Sequence, residues 1–296
     1  MTAIVTPTED TTTRPIAPEL LQSLPVAQTL IAIATYNERQ TLPSLVEVIR
    51  LILPQVGILI VDDASPDGTS DWCREWQTQD PRLFLLERPG KLGLGTALTT
   101  AMAYAVEHSY RYLITMDADH SHPVSLLPRL IAVAQGQDPD ASTPSSPPPQ
   151  SCPDVVIGSR YCRGGSIHGW PLRRYLMSRV INWYSRWWLR LPVQDCSGGY
   201  RCYRVDQLPP VLSRPLLSQG YSFEEEILWR LHNRGAKIAE IPICFINRLS
   251  GSSKLRLGGI MAAMRVLFRL TWSEWFGGGF RPAEPRSENE RSDSAG

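Results

Sequence analysis

RYLITMDADHSHP, residues 111–123, is the stretch from which the fold can be read. Its apolar run is long enough for a buried strand and too short for a core helix. It ends in two aspartates one residue apart, Asp117 and Asp119, with His120 and His122 close behind. A buried carboxylate is costly unless it is paired or bound to a metal. Residues i and i+2 of a strand point to the same face, so the two carboxylates can be presented together. Such a pair suits Mg²⁺ or Mn²⁺, which typically takes one or two carboxylates plus substrate phosphates. Zinc through the two histidines lacks a third nitrogen or sulfur ligand at suitable spacing. A solvated Asp-x-Asp turn is the bland alternative, because the motif alone is weak.

Working outward, TLIAIAT, GILIVDD, RLFLLE and DVVIGSR read as further short buried strands. Between them LPSLVEVIRLIL, TSDWCREWQTQ and GTALTTAMAYAVEHS carry helical patterns, the second capped by Thr69 or Ser70 and the third preceded by a glycine pair. Strand–helix alternation predicts a mostly parallel sheet with helices on both faces. Ligands of such sheets bind outside the carboxyl ends of the strands. Asn37-Glu38, Asp62-Asp63, Asp117-x-Asp119 and Ser159-Arg160 all fall there, so one site draws on four strand ends.

The chain has 296 residues, a net charge of +1 and 43% hydrophobic residues, enough for one large α/β domain. The overall basicity usual in nucleic-acid binders is missing. Six cysteines without CxxC spacing give neither a zinc ribbon nor a disulfide framework, which predicts a reducing, cytoplasmic setting. The N-terminal stretch lacks a signal-peptide pattern, and no apolar run reaches the roughly 20 residues needed to span a bilayer. Residues 1–25 and 277–296 read as disordered tails, and the Pro/Ser-rich 135–154 as a loop.

In VDDASPDGTSD, the turn chemistry accounts for Pro66, Gly68 and Thr69 but not for Asp62 at the end of an apolar strand. A carboxylate there could accept hydrogen bonds from a nucleotide base or ribose. A response-regulator acidic pocket competes, yet the 117–122 strand end does not fit it. GKLGLG (90–95) has the wrong spacing and position for a dinucleotide fingerprint.

Taken together, ATYNE, VDDASPDGT, RPGKLGLGTA, MDADHSHP, GSRY, DCSGGYRCY and NRLSGSSKL resemble the family 2 glycosyltransferases of the GT-A fold, a Rossmann-like α/β sheet, and within them the polyprenol (dolichol) phosphate mannose synthases. The resemblance runs in order from about residue 28 to 256, which places the transferase domain at 26–256. Ala34 stands where the family usually has proline, Ser121 where many members have glutamine, and 137–153 looks like an insertion. The resemblance implies roles residue by residue. Thr35, Tyr36, Glu38, Asp62 and Lys91 would hold the nucleotide, with Asp117 and Arg248 on the sugar diphosphate. Asp117, Asp119 and Ser121 would be the metal side, with Mg²⁺ or Mn²⁺ as cofactor. Asp119, Arg160 and Asp195 would be catalytic, and Ser197, Arg201 and Lys254 would meet the acceptor phosphate. Asp195 could orient Arg160, bind a sugar hydroxyl or cap a turn. The implied reaction moves mannose from GDP-mannose to a polyprenyl monophosphate, with UDP-glucose as the rival donor and an inactive regulatory subunit as the rival class.

Between Val155 and Gln194 stand seven arginines and no acidic residue. Within it, PLRRYLMSRVINWYSRWWLRL (171–191) places Leu172, Leu176, Val180, Trp183 and Trp187 on one helical stripe edged by Arg179, Arg186 and Arg190. That suits a helix lying in the membrane interface, at the cytoplasmic face; a helix packed on the sheet with a solvated Arg face is the alternative. Residues 257–276 form a second amphipathic segment. The reading leaves room for a membrane-anchor partner subunit.

Overall fold

Runs rich in Ile, Val and Leu that are buried on both faces build parallel sheets, because helices must cover each side. The computed structural model describes residues 18–138, 152–218 and 222–247, together with 268 and 272. Its elements are α1 (Pro18–Ser23), β1 (Thr29–Thr35), α2 (Leu42–Ile52), β2 (Gly57–Asp62), α3 (Thr69–Gln77), β3 (Leu83–Glu87), α4 (Leu94–Glu107), β4 (Tyr112–Met116) and α5 (Leu127–Ala134). They continue as β5 (Val155–Ser159), β6 (Ser166–His168), α6 (Leu172–Trp188), β7 (Arg201–Arg204), α7 (Pro209–Leu212), α8 (Phe223–His232), β8 (Ile238–Pro242) and β9 (Cys244–Ile246). The main sheet runs β3-β2-β1-β4-β7-β5-β8, with β6 and β9 as a separate parallel pair. Every neighbour pair of the main sheet is parallel except those made by β7, which runs antiparallel to both β4 and β5.

Alternation along each strand divides two cores. Ile31, Ile33, Ile58, Ile60, Ile114 and Met116 face α2, α3 and α5. Leu30, Ala32, Leu59, Val61 and Leu113 face α4 and α8. One residue of slip would exchange the two sets, so the apolar pattern fixes the register.

Two expectations need correction. Residues 18–25 are not a disordered tail: α1 packs Leu20 and Leu21 on the first core, and Leu24 just after it is buried there. The cap of α3 is Gly68 at φ 84°, rather than Thr69 or Ser70. Asp67 Oδ1 accepts both the backbone N–H and the hydroxyl of Thr69, at 3.1 and 2.5 Å, which leaves Thr69 inside the helix. Residues 1–17, nearly all of the 135–154 loop beyond Asp138, and the 277–296 tail lie outside the described residues. So does most of 257–276, where Phe268 and Trp272 are helical and exposed with ring centroids 6.1 Å apart. No helix among the described residues is long and apolar enough to cross a membrane.

Candidate active site

Parallel pairing sets Thr35 beside Asp62 at the carboxyl ends of β1 and β2. Asp62 is fully buried and its carboxylate is saturated. Oδ1 accepts from the hydroxyls of Thr35 (2.7 Å) and Ser65 (2.6 Å); Oδ2 accepts from Ser65 N–H and the Ser70 hydroxyl, both at 2.8 Å. A carboxylate offers about four lone-pair positions, and all four meet donors within the protein. Asp62 and Thr35 thus join the ends of β1 and β2 to the 65–70 turn. Tyr36 stays half-buried on the rim, with Lys91 Nζ 3.7 Å above its ring centroid. Glu38 is also half-buried and accepts from Thr41 Oγ1 at 3.1 Å.

Lys91 owes its place to a pair the sequence left unexplained. Asp63 and Arg88 form a buried ion pair. Asp63 Oδ2 also accepts the backbone N–H of Leu92 and Gly93 at 3.1 and 3.0 Å, while Arg88 donates to Gly93 O at 3.0 Å. The glycine-containing loop 89–93 is thereby tied to the end of β2.

At the end of β4 the Asp117 side chain is about half exposed. Asp119 Oδ1 accepts the hydroxyl of Ser121 at 2.5 Å and its N–H at 3.1 Å. Ser121 is buried and braces Asp119. His120 turns away in the left-handed region (φ 60°) with Nε2 2.8 Å from Ser44 Oγ. His122 is buried, stacked on Tyr200 at 4.9 Å, and its Nδ1 accepts the Asp117 N–H at 3.1 Å. That bond makes Nε2 the protonated nitrogen of the neutral ring, and it lies 3.7 Å from Asp117 Oδ2. Burial holds the imidazole pKa below its usual value despite the two aspartates. Room for Tyr200 comes from Gly158, where a Cβ would stand 2.6 Å from the ring. Two carboxyl groups at one strand end, Asp117 about half exposed and Asp119 held by Ser121, suit a divalent cation that a diphosphate completes.

Next to this mouth the β5 end carries Arg160, whose Nε and Nη2 fork the carboxylate of Asp195 at 2.8 and 2.7 Å. Nη2 also donates to Ser197 Oγ at 3.0 Å. Asp195 is fully buried and additionally accepts Arg160 N–H at 2.9 Å, so it orients Arg160 and cannot reach a sugar hydroxyl. Burial alone would raise its pKa, but the Arg160 charge and these bonds hold it below the ordinary carboxylate value. Glu240 on β8 accepts the N–H of Gln194 and Asp195 at 2.8 and 2.9 Å and so fixes the loop from behind.

Arg201 does not face the acceptor side. It is fully buried and donates to the carbonyls of Gly198, Cys196 and Glu224 at 2.6–2.8 Å, with Glu224 Oε2 at 3.0 Å. It supports the 196–199 loop from beneath, where an antiparallel β7 brings it and where sequence spacing could not put it. Arg248 and Lys254 lie outside the described residues.

Helix α6 is amphipathic with its sides exchanged. Its buried residues are Asn182 and Ser185. Leu172, Leu176, Val180, Trp183 and Trp187 are 54–71% exposed, so the stripe faces outward and is not packed on the sheet.

Residues 30–208 match the model of the family described as Glycosyl transferase family 2. The chain is 38% identical over 242 residues to a polyprenol monophosphomannose synthase of Mycolicibacterium smegmatis, covering 81% of this chain and 85% of that one. It is 37% identical over 232 residues to an undecaprenyl-phosphate mannosyltransferase of Micrococcus luteus, covering 78% and 88%. Among solved structures, a mannosyltransferase from Pyrobaculum calidifontis in complex with GDP-Man and Mn²⁺ superposes with a TM-score of 0.52 at 17% identity, over 86% of this chain and 66% of that one. A glucosyl-3-phosphoglycerate synthase from Mycobacterium tuberculosis in complex with Mn²⁺, UDP and phosphoglyceric acid gives 0.55 at 19%, over 89% and 84%. These two likenesses carry the fold. The family match over more than half the chain and the two relatives carry the assignment: this chain belongs to glycosyl transferase family 2.

Proposed function

We propose that the protein transfers mannose from GDP-mannose to a polyprenyl monophosphate at a membrane surface. The observation that carries this reading is the juxtaposition at one mouth. The Asp117–Asp119 carboxylates and the Asp195-oriented Arg160 lie beside a helix that turns tryptophan and leucine outward. The names of the two relatives, each acting on a polyprenyl-type phosphate, support it.

Tyr36 and Lys91 would flank the nucleotide, and Asp117 and Asp119 would hold Mg²⁺ or Mn²⁺. When bound, that ion supplies positive charge against the leaving diphosphate. Arg160, held rigid by Asp195, adds a second fixed charge at the same mouth. A phosphate monoester has a second pKa near 6, so the acceptor is mostly dianionic at neutral pH and no protein group need remove a proton. A phosphate oxygen of the acceptor forms the new bond to the anomeric carbon as the bond to the GDP oxygen breaks. The sugar is thereby inverted and GDP leaves with the bonding pair. Holding the two reactants in line supplies much of the rate. The surface is that of the cytoplasmic leaflet, where the Arg-rich edge of α6 meets anionic lipid; an anchor subunit is compatible with this and not required by it.

The test is a donor screen with a short polyprenyl phosphate, comparing GDP-mannose and UDP-glucose with Mn²⁺, Mg²⁺ or EDTA. GDP-mannose should give lipid-phosphate mannose only with the metal. Turnover with UDP-glucose alone would transfer the reading to the rival donor, and metal-independent turnover would remove the ion from it.

A further inference from the structure

Helix α6 buries two polar residues, and one of them reaches the active site. Asn182 is 3% exposed. Its Oδ1 accepts the backbone N–H of Cys196 at 2.6 Å, while its Nδ2 donates to the carbonyl of Ser178 at 2.8 Å and to Ser197 Oγ at 3.0 Å. The amide orientation is forced, since a backbone N–H can only donate and a carbonyl can only accept. Nδ2 therefore presents a hydrogen to Ser197, and so does Arg160 Nη2, also at 3.0 Å. A serine oxygen has two lone pairs and one hydrogen. With both lone pairs occupied, the hydroxyl hydrogen must point away from Asn182 and Arg160. It meets no acceptor among the described residues, and Ser197 is partly open to solvent. Arg160 Nη1 likewise makes no hydrogen bond among the described residues, its other nitrogens being engaged by Asp195 and Ser197.

We propose that Asn182 is a positioning residue: by donating to Ser197 Oγ it makes Ser197 a fixed O–H donor beside Arg160, aimed at an oxygen of the acceptor's phosphate. This rests on the acceptor reading given above. The arrangement places that control on α6 itself, so the helix whose far side carries Trp183 and Trp187 also sets a donor in the site. The competing role is plain attachment, in which Asn182 does no more than satisfy the Cys196 N–H.

Asn182→Asp separates the two. The new carboxylate has the same shape and still accepts from Cys196, but it can only accept from Ser197, whose hydrogen turns back towards it. The donor to Ser197 is lost while the Cys196 attachment is kept; the bond to the Ser178 carbonyl is lost too, as it is in Asn182→Ala, so the non-additivity with Ser197→Ala is the deciding readout. Hydrogen bonds to charged groups are worth enough that kcat/KM for polyprenyl phosphate should fall about 10- to 100-fold. GDP-mannose affinity and vesicle co-sedimentation should hold. Ser197→Ala should cost a similar factor, and the double variant should cost little more than either alone, because both remove one interaction. If Asn182→Asp fails to fold, Asn182→Ala enters the same cycle; it frees the hydroxyl to rotate and should also be non-additive with Ser197→Ala. Additive losses, or an Asn182→Asp enzyme with wild-type kcat/KM, would overturn the positioning role while an active wild type keeps the acceptor reading. A wild type inert on polyprenyl phosphate but active on another acceptor would overturn both.

Discussion

Asp119 sits at the end of β4 with Ser121 donating to it twice, so its carboxylate is aimed rather than merely present. Asp119→Asn keeps the shape and removes a negative charge from the proposed cation site. Turnover at saturating Mn²⁺ should fall at least about 100-fold, the scale of losing one principal electrostatic group, with Tm little changed; wild-type kcat would rule out the role. His122 belongs to the same strand end but was visible in the sequence only as a poor zinc ligand. Its use depends on Tyr200, 78 residues away in sequence, stacking on the ring and on Asp117 presenting its N–H. His122→Leu keeps the apolar packing and strands that N–H. It should cost about 1–3 kcal/mol of stability, read as a lower denaturant midpoint, and weaken donor binding through Asp117; an unchanged midpoint would mean water replaces the ring. Asp62 shows the opposite case. Its place at a strand end was legible, but not the four internal donors supplied to it by the 65–70 turn and by β1.

At the scale of elements, α6 and α8 carry the departures from ordinary amphipathicity. Replacing two tryptophans on a packed helix costs several kcal/mol each, but Trp183 and Trp187 are 56% and 70% exposed. Trp183→Ser with Trp187→Ser should therefore leave Tm within about 2 °C, as surface changes usually do, and abolish co-sedimentation with anionic vesicles. A large fall in Tm would show the helix packed against protein. The Arg179, Arg186 and Arg190 reversals to Glu should likewise remove vesicle binding, each charge being worth about 1 kcal/mol near an anionic surface. In α8, three consecutive glutamates are all buried. Burial raises Glu225 from an ordinary 4.5 to about 8, and its Oε2 finds no hydrogen bond among the described residues. The folded state thus keeps a proton that the unfolded chain releases above about pH 4.5. Stability should fall as pH rises from there to about 8. Glu225→Gln should remove that slope, gaining roughly 5 °C or more in Tm at pH 8.5 over wild type and far less at pH 5. Parallel pH curves for the two proteins would sink the assignment.

Over the whole molecule, one sheet collects the described groups of the site at its carboxyl edge, and the sequence reads the Pro/Ser-rich 135–154 as a loop. Deleting residues 139–151 with a short Gly/Ser joint should change Tm by no more than about 2 °C and leave donor affinity intact, since loop length costs little. A loss of either would mean the segment packs on the domain. The sequence by itself determined the alternation of short buried strands and helices, hence a doubly covered sheet, because its periodicity is local and the register follows from which face is apolar. It also determined that carboxylates and Arg160 gather at strand ends, since a polar residue closing an apolar run has nowhere else to go. Only the tertiary structure decided which of those groups are engaged inside the protein. The antiparallel β7 carries Arg201 under the site, the 65–70 turn saturates Asp62, and Asn182 locks the Ser197 loop from α6. Each of these joins residues distant in the chain through hydrogen bonds whose donors and acceptors must all be counted before a lone pair or a proton can be said to be left over. That count exists only once the backbone has brought the partners together.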